Sequence, residues 1–117
     1  MEIRDFCITR NYTIMEVMQV FERNRERGVL VVGEDEKVCG FISMGDIINA
    51  LANGKNLYSR AEQISNPSFI YLEKKDYKKA LEIFKKRNIS LIPVIDKEQK
   101  VVDVITAREL FAMVELK

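Results

Sequence analysis

The sequence predicts an α/β fold in which two β-α-β-β-α repeats pack sheet to sheet about a pseudo-twofold axis. Three observations predict it. Shifting the chain by 63 positions lays residues 64–117 on residues 1–54 without a gap. Both halves then show the same order of apolar patterns, and neither is long enough to cover both faces of a three-stranded sheet by itself. Identity contributes little, because only six of the fifty-four aligned pairs match. The pattern carries the repeat: Phe6 meets Phe69, Phe21 meets Phe84, Lys37-Val38 meets Lys100-Val101 and Ile42-Ser43 meets Ile105-Thr106. The expected organisation is a first repeat at 1–54, a connector at 55–63 and a second repeat at 64–117. Clefts between two such units come in pairs.

Each half opens on a short apolar strand, at 6–8 and 69–72. An amphipathic helix follows, over 13–26 and 76–88. Its apolar positions are Ile14, Val17, Met18 and Phe21 in one half and Tyr77, Ala80, Leu81 and Phe84 in the other, a spacing that places them on one face. Thr13 with Glu16 carries the capping-box signature, and Asp76 is placed as an N-cap. Runs rich in β-branched residues at 29–32 and 91–95 predict strands. Charged turns at 33–36 and 96–99 lead to partner strands at 38–42 and 101–105, so each pair forms a hairpin. The closing helices start at Ser43 and Thr106. Between the halves, residues 53–67 contain Gly54 and Pro67 and read as a connector with one helical turn.

Composition narrows the function classes. The 117 residues are 47% hydrophobic and 32% charged, as expected of a globular protein. Lys and Arg total 19 against 18 Asp and Glu, so no strong field for nucleic acid is present. The basic run at 74–79, continued by Lys85-Lys86-Arg87, falls opposite the apolar stripe of its helix and reads as a solvated face. Cys7 and Cys39 stand alone in apolar runs, which suggests buried thiols and a reducing, cytoplasmic setting. No signal peptide and no membrane span are expected. Histidine is absent, as are a metal-ligand cluster and a Gly-rich phosphate loop, so catalysis is not expected.

The order of elements, with an apolar strand ending in a G-h-h-[ST]-x-x-D motif (h apolar), resembles the cystathionine-β-synthase (CBS) domain, two of which form a Bateman module. The motif stands as Gly40-Phe41-Ile42-Ser43-Met44-Gly45-Asp46 in the first half. The second half has the family-like Leu91-Ile92-Pro93-Val94-Ile95-Asp96, then departs with Asp103 in the Gly position and Glu109 in the Asp position. The resemblance implies a pair often dimerised into a flat disk, here a homodimer. It implies binding of AMP, ADP, ATP or S-adenosylmethionine as a regulatory ligand, with no required cofactor, and control of an attached or partner enzyme, channel or transporter. The layout also looks like CBS pairs found ahead of sugar-phosphate nucleotidyltransferase domains.

Two readings of the helix starts stay open. Ser43 and Asp46, or Thr106 and Glu109, can form reciprocal caps, for which Glu is the better partner than Asp. Alternatively, by the resemblance, the Asp46 or Glu109 carboxylate holds ribose hydroxyls through charge-assisted hydrogen bonds. Ser43 or Thr106 and the helix N-terminus then face phosphate, and Gly45 leaves room beside the sugar. The resemblance further assigns the adenine pocket to Cys7, Ile8, Thr9, Val29 and Leu30, with Ile70, Tyr71, Leu72, Ile92 and Pro93 as counterparts. Plain core is the competing reading of all these apolar positions. Arg27 and Ser90, at equivalent positions, and Arg108 are the candidates to meet phosphate. The alternative function is a ligand-free structural or dimerisation module, which the departures at Asp103 and Glu109 favour for the second site.

Overall fold

A computed structural model describes residues 2–115. A 3-10 turn at Ile3–Phe6 leads into β1 (Cys7–Thr9), followed by α1 (Ile14–Asn24), β2 (Gly28–Val32), β3 (Val38–Ser43) and α2 (Met44–Ala52). After a connector with a 3-10 turn at Ala61–Ile64 come α3 (Tyr77–Lys86), β4 (Leu91–Ile95), β5 (Val101–Thr106) and α4 (Ala107–Glu115).

The helices begin where their caps dictate. Thr13 accepts the Glu16 N–H at 3.2 Å, while Glu16 accepts the Thr13 N–H at 3.0 Å. Asp76 caps α3 by accepting the Lys79 N–H at 3.1 Å. Each such cap stabilises its helix by about 1 kcal/mol. At the far end of α1, Arg25 takes a left-handed conformation (φ 58°) and donates its N–H to the Phe21 carbonyl, which ends the helix.

The two hairpins repeat in fine detail. β2 pairs antiparallel with β3, and β4 with β5. The register slips once in each, at Val31/Val32 and at the equivalent Val94/Ile95. Their turns each place one residue at positive φ, Glu36 and its equivalent Gln99. Alternation along β2 sends Val29 and Val31 to the core beneath α1 and α2, with Ile14, Val17 and Phe21. Leu30 points the other way, into a central core shared with Phe6, Leu91, Ile95 and Val104. In the second half, Ile92, Val94 and Ile105 pack under the helices with Ala80 and Leu110. The layers therefore run helices, sheet, sheet, helices. Burying a side chain such as Leu30, which is fully inaccessible, stabilises the sheet-to-sheet layer by about 2 kcal/mol.

The second half departs from expectation at its first strand. β1 runs parallel to β2, making a three-stranded sheet, but residues 69–72 form no strand beside β4. Only Leu72 pairs there: its N–H donates to the Pro93 carbonyl at 3.0 Å and its carbonyl accepts the Ile95 N–H at 2.8 Å. The next donor along that edge of β4 belongs to Pro93, which has no N–H, so the ladder stops after one residue.

Candidate functional site

The pseudo-twofold axis can be located by equivalent residues that touch. Lys37 bridges Lys100, and the Arg27 N–H donates to Ser90 Oγ at 3.4 Å. Both pairs are separated by the repeat offset. A cleft of about 320 Å³ opens on the Arg27–Ser90 contact, within the range that holds small-molecule ligands. The first repeat contributes Arg27, Phe41, Ser43, Met44, Gly45 and Ile48, and the second contributes Asn88, Ile89 and Ser90. A cleft of about 410 Å³ occupies the related position. It takes Thr106, Arg108 and Glu109 from the start of α4, Lys75, Asp103 and Val104 beside them, and Phe6, Asn24 and Glu26 from the first repeat.

In the first cleft, Ser43 ends β3 and caps α2. The Met44 N–H donates to the Arg27 carbonyl at 2.9 Å, which fixes the helix start against the α1–β2 loop. Ser43 Oγ accepts the Asp46 N–H at 3.1 Å and keeps its own proton to donate. Gly45 presents open space: a Cβ there would meet only Ser43 Oγ, at 3.6 Å. Arg27 is the sole charged residue on this wall among the described residues, so the cleft carries a positive bias.

Asp46 lies at the same helix start, on a different side. Its carboxylate accepts the Ser43 N–H at 2.9 Å, completing a reciprocal cap in spite of the shorter side chain. It does not line the first cleft. It faces a separate groove with Asn49, Asn53 and Lys55, on the next stripe of α2. One carboxylate oxygen thus serves the cap, which is the first of the two readings of this helix start.

In the second cleft the polar groups engage one another. Glu109 N–H donates to Thr106 Oγ1 at 3.1 Å, and Glu109 Oε1 accepts the Thr106 N–H at 3.4 Å. Glu109 Oε2 accepts the Tyr77 hydroxyl at 2.9 Å and lies 3.4 Å from Lys75 Nζ. The same ammonium lies 3.1 Å from Asp103 Oδ2 and 5.4 Å from the centre of the Tyr77 ring. Hydrogen bonding to Tyr77 and Asp103, with the charge of Glu109 close by, raises the Lys75 pKa and holds it charged. Arg108, at the position equivalent to Gly45, donates to the Arg25 carbonyl at 3.2 Å. Glu26 is buried, and burial pushes its carboxyl pKa up while the Ser90 hydroxyl and the Arg108 and Arg27 guanidinium groups pull it down.

The structure thus gathers Arg27, Ser43, Gly45 and Ser90 in one place and Thr106, Arg108 and Glu109 in another. The adenine positions implied by the resemblance lie elsewhere. Val29, Leu30, Ile92 and Pro93 are buried, and none of them lines either cleft. Alternate positions of a two-sided strand both face packed layers. Cys7, Ile8 and Thr9 border a distinct open groove with Tyr12 and Lys100, where burial pushes the Cys7 thiol pKa up to about 11. Tyr71 and Leu72 edge another, beside Lys74 and Lys79, and Ile70 is half-buried. Lys75, read from sequence as part of a solvated face, belongs to the second cleft. Asn88 and Ile89 were missed, although they immediately precede Ser90. Phe41, Met44 and Ile48 were missed as well, two of them lying inside the motif itself.

Paired sheets that bury one face against each other, with helices outside and twin clefts at the helix starts, define a two-repeat module with clefts between its repeats. The family model described as "CBS domain" matches residues 2–53 and 62–115, and the chain belongs to that family. A CBS domain protein from Pyrobaculum aerophilum complexed with AMP superposes with a TM-score of 0.74 at 22% identity, covering 95% of this chain and 91% of that one. The CBS domain pair of protein MJ0100, in complex with 5′-methylthioadenosine and S-adenosyl-L-methionine, superposes with a TM-score of 0.75 at 26% identity, covering 93% and 90%. Homoserine O-acetyltransferase from Methanosarcina acetivorans is 26% identical over 109 residues, 92% of this chain. The chain spans only 20% of that relative's length. Among the described residues, no helix is long and apolar enough to cross a membrane, and no cluster of His, Cys, Asp and Glu is arranged to hold a metal ion.

Proposed function

We propose that the chain is a non-catalytic regulatory module that binds an adenosine nucleotide in its first cleft. The observation that carries this reading is the convergence of Ser43, Gly45 at the start of α2, Arg27 and Ser90 on one cavity. A helix start and an arginine together suit a phosphate. Phe41, Met44, Ile48 and Ile89 line the same cavity and supply apolar surface for a base, while Asn88 offers donors and an acceptor to sugar hydroxyls. The complexes of the two structural relatives with AMP and with S-adenosyl-L-methionine support an adenosine-containing ligand. The positive bias of this cleft favours AMP, ADP or ATP over the sulfonium compound.

Residues from both repeats touch the cavity, so occupancy favours one relative arrangement of them and biases whatever is attached. Control of a fused or associated enzyme or transporter is the role proposed, and the greater length of the Methanosarcina relative suits a module of this size within a longer chain. A homodimer is proposed through α2 and α4, where the equivalent residues Ile48 and Phe111 are 61% and 66% exposed. A cytoplasmic setting suits the two unpaired cysteines. The second reading, a ligand-free structural element, is favoured for the second cleft alone by its internal ion pairs. Calorimetric titration with AMP tests the proposal: saturable heat with a rise in Tm is expected, and no heat and no stabilisation at millimolar nucleotide would refute it.

A further inference from the structure

We propose that Lys75 is a built-in occupant of the second cleft and confines nucleotide to the first, an assignment that rests on the first-cleft reading only for its ligand count. Four positions meet at this cluster, Lys75, Tyr77, Asp103 and Glu109, and three of their equivalents in the first half carry nothing of the kind. Tyr12 stands for Lys75, Ile14 for Tyr77 and Gly40 for Asp103. Only Asp46, for Glu109, keeps an acid, and it is spent on its cap. The second-half changes complement one another. Asp103 and Glu109 bring two carboxylates within 3.1 and 3.4 Å of one ammonium, and the Tyr77 hydroxyl takes a further place on Glu109 Oε2.

A sugar reaching this wall meets a carboxylate already held by an ammonium, a hydroxyl and its own helix start, so binding there first breaks charge-assisted bonds. A phosphate meets Asp103, Glu109 and the buried Glu26, with Arg108 turned to a backbone carbonyl. Where the first cleft has the open space of Gly45, the second has the Arg108 side chain. The two clefts therefore differ in their charge and in whether their polar groups are spoken for, although the second is not the smaller.

Two measurements on the full chain test this. Competitive acetylation with a limiting amine-reactive reagent, read by mass spectrometry, reports the lysine without any ligand. Lys75 is expected to label severalfold more slowly than Lys74, Lys78 or Lys79, because its ammonium is held against two carboxylates. The D103N/E109Q variant is expected to bring Lys75 to the rate of its neighbours. Lys75 labelling at its neighbours' rate in the native chain would overturn the assignment. Calorimetry with AMP gives the second arm: one site per native chain and two in the K75M/D103G/R108G variant, which removes the ion pairs and opens the space that Arg108 fills. Two sites in the native chain, or one in both, would overturn it. If the native chain binds no AMP, the first-cleft reading fails by itself, and slow labelling still supports the Lys75 assignment while fast labelling removes it.

Discussion

The two clefts occupy equivalent places in a repeated fold and have opposite chemistry. One presents an arginine, two serine hydroxyls and a helix start beside open space at Gly45. In the other, Arg108 stands where that glycine was, the buried Glu26 borders the wall, and a lysine lies between two carboxylates. What keeps the halves alike is the pattern of apolar residues, caps and turns, which survives with very few identities. What makes them different is a handful of side chains at the helix starts, where substitution leaves the core untouched. The comparison teaches that the shared apolar pattern sets the scaffold, while a few side chains at the helix starts set the chemistry of each cleft.

The largest expected effect comes from closing the open space. Gly45→Leu should abolish measurable AMP binding with an unchanged or slightly raised Tm, because glycine is the poorer helix former by about 0.8 kcal/mol and a Cβ at this position meets no backbone. Its mirror, Arg108→Ala, should leave AMP affinity unaltered. Equal losses in both variants, measured by calorimetry, would break the asymmetry.

Next in size is Arg27→Ala. Loss of a charged hydrogen bond of about 1.5–3 kcal/mol should weaken AMP roughly ten- to a hundredfold. The weakening should be smaller for adenosine, which lacks the phosphate, and an equal effect on both ligands would move Arg27 away from the phosphate.

Asp46→Ala sharpens the comparison from the other side. Because that carboxylate caps α2, the change should lower stability by about 1 kcal/mol in urea denaturation while AMP affinity at saturating folded protein holds within about twofold. A tenfold or greater loss of affinity would restore the ribose role.

The smallest effect belongs to Glu26, which borders the second cleft. Burial raises its folded-state pKa above the unfolded value, so the folded chain holds that proton more tightly. Its contribution to stability is then greatest at low pH and declines as pH rises from the unfolded to the folded pKa. Glu26→Gln, which keeps an acceptor for Ser90, should raise the Tm at pH 7 and lose that advantage as pH falls through the carboxylate range. A Tm difference constant with pH would contradict the burial argument.

Much of the scaffold was legible in the sequence because its rules are local. The period of Ile14, Val17 and Phe21 gives a helix face, Thr13 with Glu16 gives its start, and the repeat offset aligns even the strand slips at Val31 and Val94. The missing strand before α3 was also written there, in Pro93, but reading it requires knowing which edge of β4 lacks a donor. The sites were less legible. Spacing placed Ser43 and Asp46 at one helix start without saying on which side of the helix the carboxylate lies. Val29, Leu30 and Ile92 are apolar strand positions whose alternation does not say which layer covers them: the helices bury Val29 and Ile92, and the facing sheet buries Leu30. Lys75 sits one residue before the Asp76 cap, where the helical periodicity that assigned its neighbours to solvent does not yet apply.

A crystal structure of the protein grown with AMP tests the central claim most directly. The account predicts phosphate oxygens within hydrogen-bonding distance of Ser43 Oγ and the Arg27 guanidinium, with Lys75 still between Asp103 and Glu109. Nucleotide lodged against Glu109, or with its ribose on Asp46 beside Asn49 and Lys55, would contradict it.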